Sequence, residues 1–147
     1  MKLLDINILV YAHRADAPGH AGHRAWLEAE LGGTRPCAVS ELVLAGFLRV
    51  VTHPKVFGDP TPLTMALEFV RDLRSHPNLH LISPGGRHWE IFVSLCEAIG
   101  AKGNMIPDAY HAALAVESGC TWISTDSGFA RFPGLDWRHP LRPGGGR

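Results

Sequence analysis

Long apolar runs are missing from this sequence. Asp5 interrupts the N-terminal run at once, and no later stretch is continuous enough to cross a bilayer. Neither a secretory leader nor a membrane span is expected, and a cytoplasmic setting is. Cysteine is scarce. Cys37, Cys96 and Cys120 lie far apart among apolar neighbours, which gives neither a disulfide framework nor metal-ligand spacing and fits buried, reduced thiols. Excess charge of one sign is absent too, since Lys plus Arg and Asp plus Glu both number 14. A nucleic-acid partner would therefore need a local basic patch or a metal ion. What remains is an ordinary globular composition, 46% apolar and 19% charged, in a chain of 147 residues, enough for one domain with a real core.

Within that chain, short apolar runs alternate with amphipathic stretches. Leu3-Leu4 reads as a buried strand ending at Asp5, with a short helix from Ile6 to Ala12 behind it. His20 to Leu31 reads as a helix closed by Gly32-Gly33. His20 and His23 are read as exposed positions on that helix rather than a metal pair, because no further ligands cluster with them. Cys37-Ala38-Val39 is a second strand, and Ser40-Glu41 opens a strongly apolar helix from Leu42 to Thr52. That helix has more apolar positions than one buried face needs, so it is either buried all round or makes a subunit contact.

A helix from Thr61-Pro62, with Leu63, Leu67, Val70 and Leu73 on one side, leads to a strand at Leu79 to Ile82. His88 to Ile99 is an amphipathic helix with Trp89, Phe92, Val93, Cys96 and Ile99 along its stripe. After the turn Lys102-Gly103-Asn104, Ile106-Pro107-Asp108 opens a helix whose small-residue face, Ala109, Ala112, Ala113 and Val116, suits close approach to a sheet. Cys120 to Ser124 is a fourth strand, Ser127 to Arg131 a short helix, and Leu135 to Arg138 a short edge strand. The tail Arg142 to Arg147 is too poor in apolar groups to order itself, so the domain is expected to span residues 1–141.

Strand–helix alternation argues for a parallel sheet covered by helices, in which every strand ends at the same edge. Asp5, Glu41 and Asp126 each follow a strand, and Asp108 can join them from a helix N-terminus. Each has an innocent role as a helix cap or first-turn acid. Gathering them is costly, however: two carboxylates about 5 Å apart repel by roughly 3 kcal/mol at an effective dielectric near 20. A divalent cation offsets that repulsion, and hard oxygen ligands suit Mg²⁺ or Mn²⁺.

Leu4-Asp-Ile-Asn-Ile-Leu-Val-Tyr-Ala12, Ser40-Glu41, Pro107-Asp-Ala-Tyr-His-Ala-Ala-Leu-Ala115 and Ser124-Thr-Asp-Ser-Gly-Phe129 resemble PIN-domain proteins. More narrowly, they resemble the VapC toxins of type II toxin–antitoxin pairs, as does the ending Phe129 to Arg138. The resemblance runs from Met1 to about Leu141. It implies an α/β/α sandwich around a parallel sheet of order 3-2-1-4-5, and metal-dependent endoribonuclease activity. It also implies a catalytic quartet of Asp5, Glu41, Asp108 and Asp126, with Asn7 and Thr125 in support and Asp5, Asp108 and Asp126 on Mg²⁺ or Mn²⁺. Ser127 and Gly128 stand where some members carry a further acid, which leaves a second metal without that ligand. The implied partners are RNA, a VapB-type antitoxin and a second copy of the chain. Arg14, Lys55, Lys102 and Arg131 are candidate phosphate contacts, each equally a solvated surface charge.

Two other functions remain open from the residues alone. Asp5-x-Asn7 after a first strand also fits an aspartyl phosphotransferase of the haloacid-dehalogenase type, although that chemistry wants an acid at Asn7 and has no use for Glu41. A catalytically silent PIN scaffold is the other.

Overall fold

A computed structural model describes residues 1–142. The expectation for the glycine-rich tail therefore lies, from residue 143 on, outside the described residues.

The chain runs β1 (Lys2–Leu4), α1 (Ile6–His13), α2 (His20–Leu31), β2 (Cys37–Val39), α3 (Glu41–Val51), α4 (Leu63–Ser75), β3 (Leu79–Leu81), α5 (His88–Ile99), α6 (Met105–Ser118), β4 (Thr121–Ile123), a 3-10 segment (Ser127–Arg131) and β5 (Trp137–Arg138). The strands form one sheet in the order β3-β2-β1-β4-β5, as the resemblance implies. Every pairing is parallel; Lys2 sits opposite Cys37 on one side of β1 and opposite Thr121 on the other.

Successive strand residues point to opposite faces, so burial of consecutive residues shows that both faces are covered. Leu3, Leu4, Cys37, Ala38 and Val39 are all fully buried. Helix α1 packs with α2 and α3, α3 with α4, and α5 with α6, which also touches β4. The small-residue face of α6 has the expected consequence, since Ala109, Ala112 and Ala113 are completely buried. Gly46 lets α3 approach α1, because a β carbon there would meet Ile6 Cδ1 at 2.4 Å. That contact lies one residue from Asp5.

Three local expectations differ from the structure. α4 begins at Leu63, after Pro62. Thr61 is held in the preceding loop: its N–H donates to the Val51 carbonyl (2.8 Å) and its hydroxyl meets His13 and Arg14. Leu63 is consequently exposed, and Ala66, Val70 and Leu73 make the buried face. On α5 the buried stripe passes through His88 and Leu95, with Trp89 turned to solvent. His88 Nε2 lies 2.9 Å from the Tyr110 carbonyl, while Phe92, Cys96 and Ile99 of the expected stripe pack against the core. Finally, His23 is buried, with Nδ1 2.9 Å from the Gly19 carbonyl, while His20 Nδ1 lies 2.8 Å from the Tyr11 carbonyl. Both histidines brace the chain around α2.

Helix α3 is one-sided after all. It buries Val43, Leu44, Phe47 and Val51 and leaves Leu42 exposed, near the start of the same helix as Glu41. Leu63 and Met65 of α4 are exposed as well.

Candidate active site

Because β1, β2 and β4 are parallel neighbours, the residues after Leu4, Val39 and Ile123 leave the sheet at one edge. Asp5 is the best-anchored of them. It caps α1: Oδ1 accepts from the Ile6 N–H at 2.6 Å, satisfying a donor that a helix start leaves free. Oδ2 accepts from the Ser124 hydroxyl at 2.6 Å and from Asn7 Nδ2 at 3.1 Å. Ser124 is fully buried and joins the whole edge. Its oxygen also accepts from Asn7 Nδ2 and from the Asp126 N–H, each at 3.1 Å, and its carbonyl accepts from Trp137 Nε1. Asn7 closes the net by accepting the Thr125 N–H at 3.2 Å.

Burial pushes the Asp5 carboxyl up to about 6, against the pull of its hydrogen bonds to Ser124 and Ile6, and the charges of Asp108 and Asp126 push in the same direction. Asp108, in the first turn of α6, is also raised, by burial and then by Asp126, with Arg131 opposing. Asp126 caps the 3-10 segment, its Oδ1 accepting the Gly128 N–H at 2.8 Å. Asp5, Asp108 and Asp126 thus share one electrostatic neighbourhood.

Glu41 does not join it in this structure. It opens α3 as expected, with Ser40 capping through the Val43 N–H, but its carboxylate turns outward to Arg74 on α4 at 3.2 Å. Among the described residues, no three His, Cys, Asp or Glu side chains gather closely enough to hold a metal ion.

Residues 2–135 match the PIN domain family. The chain belongs to the PIN-domain family. This PIN domain is 47% identical over 141 residues, 96% of each chain, to Ribonuclease VapC43 of Mycobacterium tuberculosis. It is 41% identical over 143 residues to Ribonuclease VapC25 of the same species, covering 97% of this chain and 99% of that one. Among solved structures it superposes with a TM-score of 0.70 on a chain from VapBC2 of Rickettsia felis bound to a promoter DNA fragment. That pair is 21% identical, with 94% and 97% of the two chains covered, and shows the fold.

The hub of this PIN domain's acid edge is a residue the sequence did not mark. Of the two expected supporting residues, Asn7 bonds Asp5 Oδ2 through its side chain, whereas Thr125 engages Asn7 only through its backbone N–H, and Ser124 joins Asp5 to the backbone of Asp126. A signal was there: a hydroxyl residue ending a fully buried strand needs a partner, and the strand ends where the acids are. The candidate phosphate contacts divide. Arg14 is committed elsewhere, paired with Asp16 at 2.7 Å, bonded to Thr61 and seated over the Phe57 ring. Arg131 lies at the edge itself, 3.4 Å from Asp108 Oδ2.

Proposed function

We propose that this PIN domain is a metal-dependent endoribonuclease, the toxin of a VapBC-type pair, which cuts RNA phosphodiester bonds and so arrests translation and growth. The observation that carries the reading is the convergence of Asp5, Asp108 and Asp126 at one edge of the sheet, where burial raises Asp5 and Asp108 and the neighbouring carboxylates push the same way. Ribonuclease names among relatives above 40% identity support it. The same reading takes a VapB-type antitoxin and a second copy of the chain as partners, in a cytoplasmic setting. The exposed Leu42 on α3, with Leu63 and Met65 exposed on α4, offers apolar side chains for those contacts. No helix among the described residues is long and apolar enough to cross a membrane.

The donor set fits the proposed ion. Asp5, Asp108 and Asp126 present only carboxylate oxygens, the hard ligands that Mg²⁺ and Mn²⁺ take, and their mutual repulsion is the force a cation relieves. Held by these three carboxylates, such an ion would supply Lewis acidity toward a water and toward the RNA phosphodiester. The protein's own part is positioning. Ser124 and Asn7 fix Asp5 Oδ2, and the Ile6 N–H fixes Oδ1, so the carboxylate keeps one orientation. The Gly128 N–H orients Asp126 likewise. Glu41, tied only to exposed Arg74, is the one acid of the quartet free to swing and accept the water's proton. The phosphotransferase alternative asks Asp5 to be a nucleophile. Its burial and the three hydrogen bonds its carboxylate accepts oppose that role.

The test is cleavage of purified cellular RNA by metal-stripped protein with Mg²⁺, with Mn²⁺ or with chelator, and sequencing of the new ends. Cleavage is expected with either metal only and is expected to vanish in Asp5→Ala, together with growth arrest on expression. Undiminished cleavage by Asp5→Ala, or wild-type cleavage in chelator, would overturn the reading.

A further inference from the structure

Among the described residues, Arg131 is the cation that pairs with the acid edge, and its seat is shaped for it. Nη2 lies 3.4 Å from Asp108 Oδ2, and the guanidinium carbon is 5.6 Å from the Phe132 ring centroid. A β carbon on Gly128 would fall 2.8 Å from that same Nη2 and 3.0 Å from Asp126 Oδ1. The head group therefore passes through the notch that the missing side chain leaves, between Asp108 and the turn formed by Asp126 and Gly128. Charge-assisted N–H···O contacts normally close to about 2.7–2.9 Å. At 3.4 Å, with the arginine side chain a third exposed, the contact to Asp108 is loose and open to exchange. Arg14, with a 2.7 Å contact to Asp16, shows what a closed pair looks like in the same molecule.

We propose that Arg131 is the resident counter-ion of the acid edge, seated by the notch at Gly128, and that a divalent cation binds by displacing it from Asp108. This rests on the reading that Asp5, Asp108 and Asp126 hold the metal. Arg131 is then a positioning residue that sets how much metal the toxin needs, since every bound ion must first release this contact.

The test is titration calorimetry of Mn²⁺ alone into the metal-stripped full chain, with thermal melts before and after addition. Arg131→Gln is expected to bind Mn²⁺ roughly two- to fivefold more tightly than wild type, the equivalent of a part-exposed ion pair. Its metal-free melting temperature is expected to fall and its gain on Mn²⁺ addition to grow. Arg131→Lys is expected to stay near wild type in both readouts. Unchanged or weaker Mn²⁺ binding by Arg131→Gln, with normal binding by wild type, overturns the counter-ion role and leaves the nuclease reading intact. Absence of Mn²⁺ binding by wild type overturns both.

Discussion

The two sides of strand β1 hold their acids in opposite ways. Toward β4, Asp5 is buried and accepts three hydrogen bonds, and a single buried hydroxyl links it to Asn7 and to the backbone of Asp126. Toward β2, Glu41 is exposed and touches only an exposed arginine, beside apolar side chains that face solvent. One side has been organised before any ligand arrives, and the other is left to be completed. The organised side carries the cost: a buried carboxylate raised to about 6 destabilises the folded state at neutral pH unless something positive joins it.

The largest effect should come from removing the hub. Ser124→Ala leaves Asp5 Oδ2 with Asn7 alone and strips the Asp126 N–H of its partner. Cleavage is expected to fall about 10- to 100-fold, as when partners that orient metal ligands are lost. Stability should fall by about 1–3 kcal/mol from the unpaired buried groups. Thr125→Ala, whose backbone N–H still reaches Asn7, should change neither by much. Equal losses in the two variants, in cleavage assays and urea melts, would erase the distinction between hydroxyl hub and backbone donor.

Next in size is the pH dependence of the organised side. A carboxyl raised in the folded state contributes stability that is fully present below its ordinary value of 3.8 and lost as pH climbs through about 6. The stability of metal-stripped wild type, measured against Asp5→Asn, should therefore decline between about pH 4 and pH 7, by up to about 3 kcal/mol for a shift of this size. Saturating Mg²⁺ should flatten that decline. Asp126→Asn keeps the cap on the Gly128 N–H while deleting a charge, and should raise metal-free stability by a few tenths to about 1 kcal/mol. A loss instead would show that Asp126 serves the cap more than the charge cluster.

How much of this was legible in the residues follows the same division. α2, β2, α5 and the 3-10 segment fall on the residues that periodicity and caps indicate, because their signals are local: His20 to Leu31 before a glycine pair, Cys37 to Val39 before Ser40. The burial of His88 on α5 was hidden, since its ring meets the Tyr110 carbonyl on another helix. Ser124 carried only the signal of a hydroxyl at the end of a buried strand, because its partner Asp5 lies 119 positions away. Order along the chain marked the acids as candidates, but which of them the fold couples depends on side-chain direction. Glu41 and Asp5 follow adjacent strands, yet one turns out to Arg74 and the other inward to Ser124.

The smallest effects belong to the open side, and they test whether Glu41 is held or merely parked. An exposed pair such as Glu41–Arg74 contributes about 0–1 kcal/mol, so Arg74→Ala should barely move the melting temperature. If Glu41 must leave Arg74 to reach the attacking water, that variant frees it, and cleavage at subsaturating Mg²⁺ should stay level or rise. Glu41→Gln should match wild type in stability while cleaving more slowly. Reduced cleavage by Arg74→Ala would mean instead that the outward pair is itself part of the working arrangement, with Arg74 holding Glu41 where the reaction needs it.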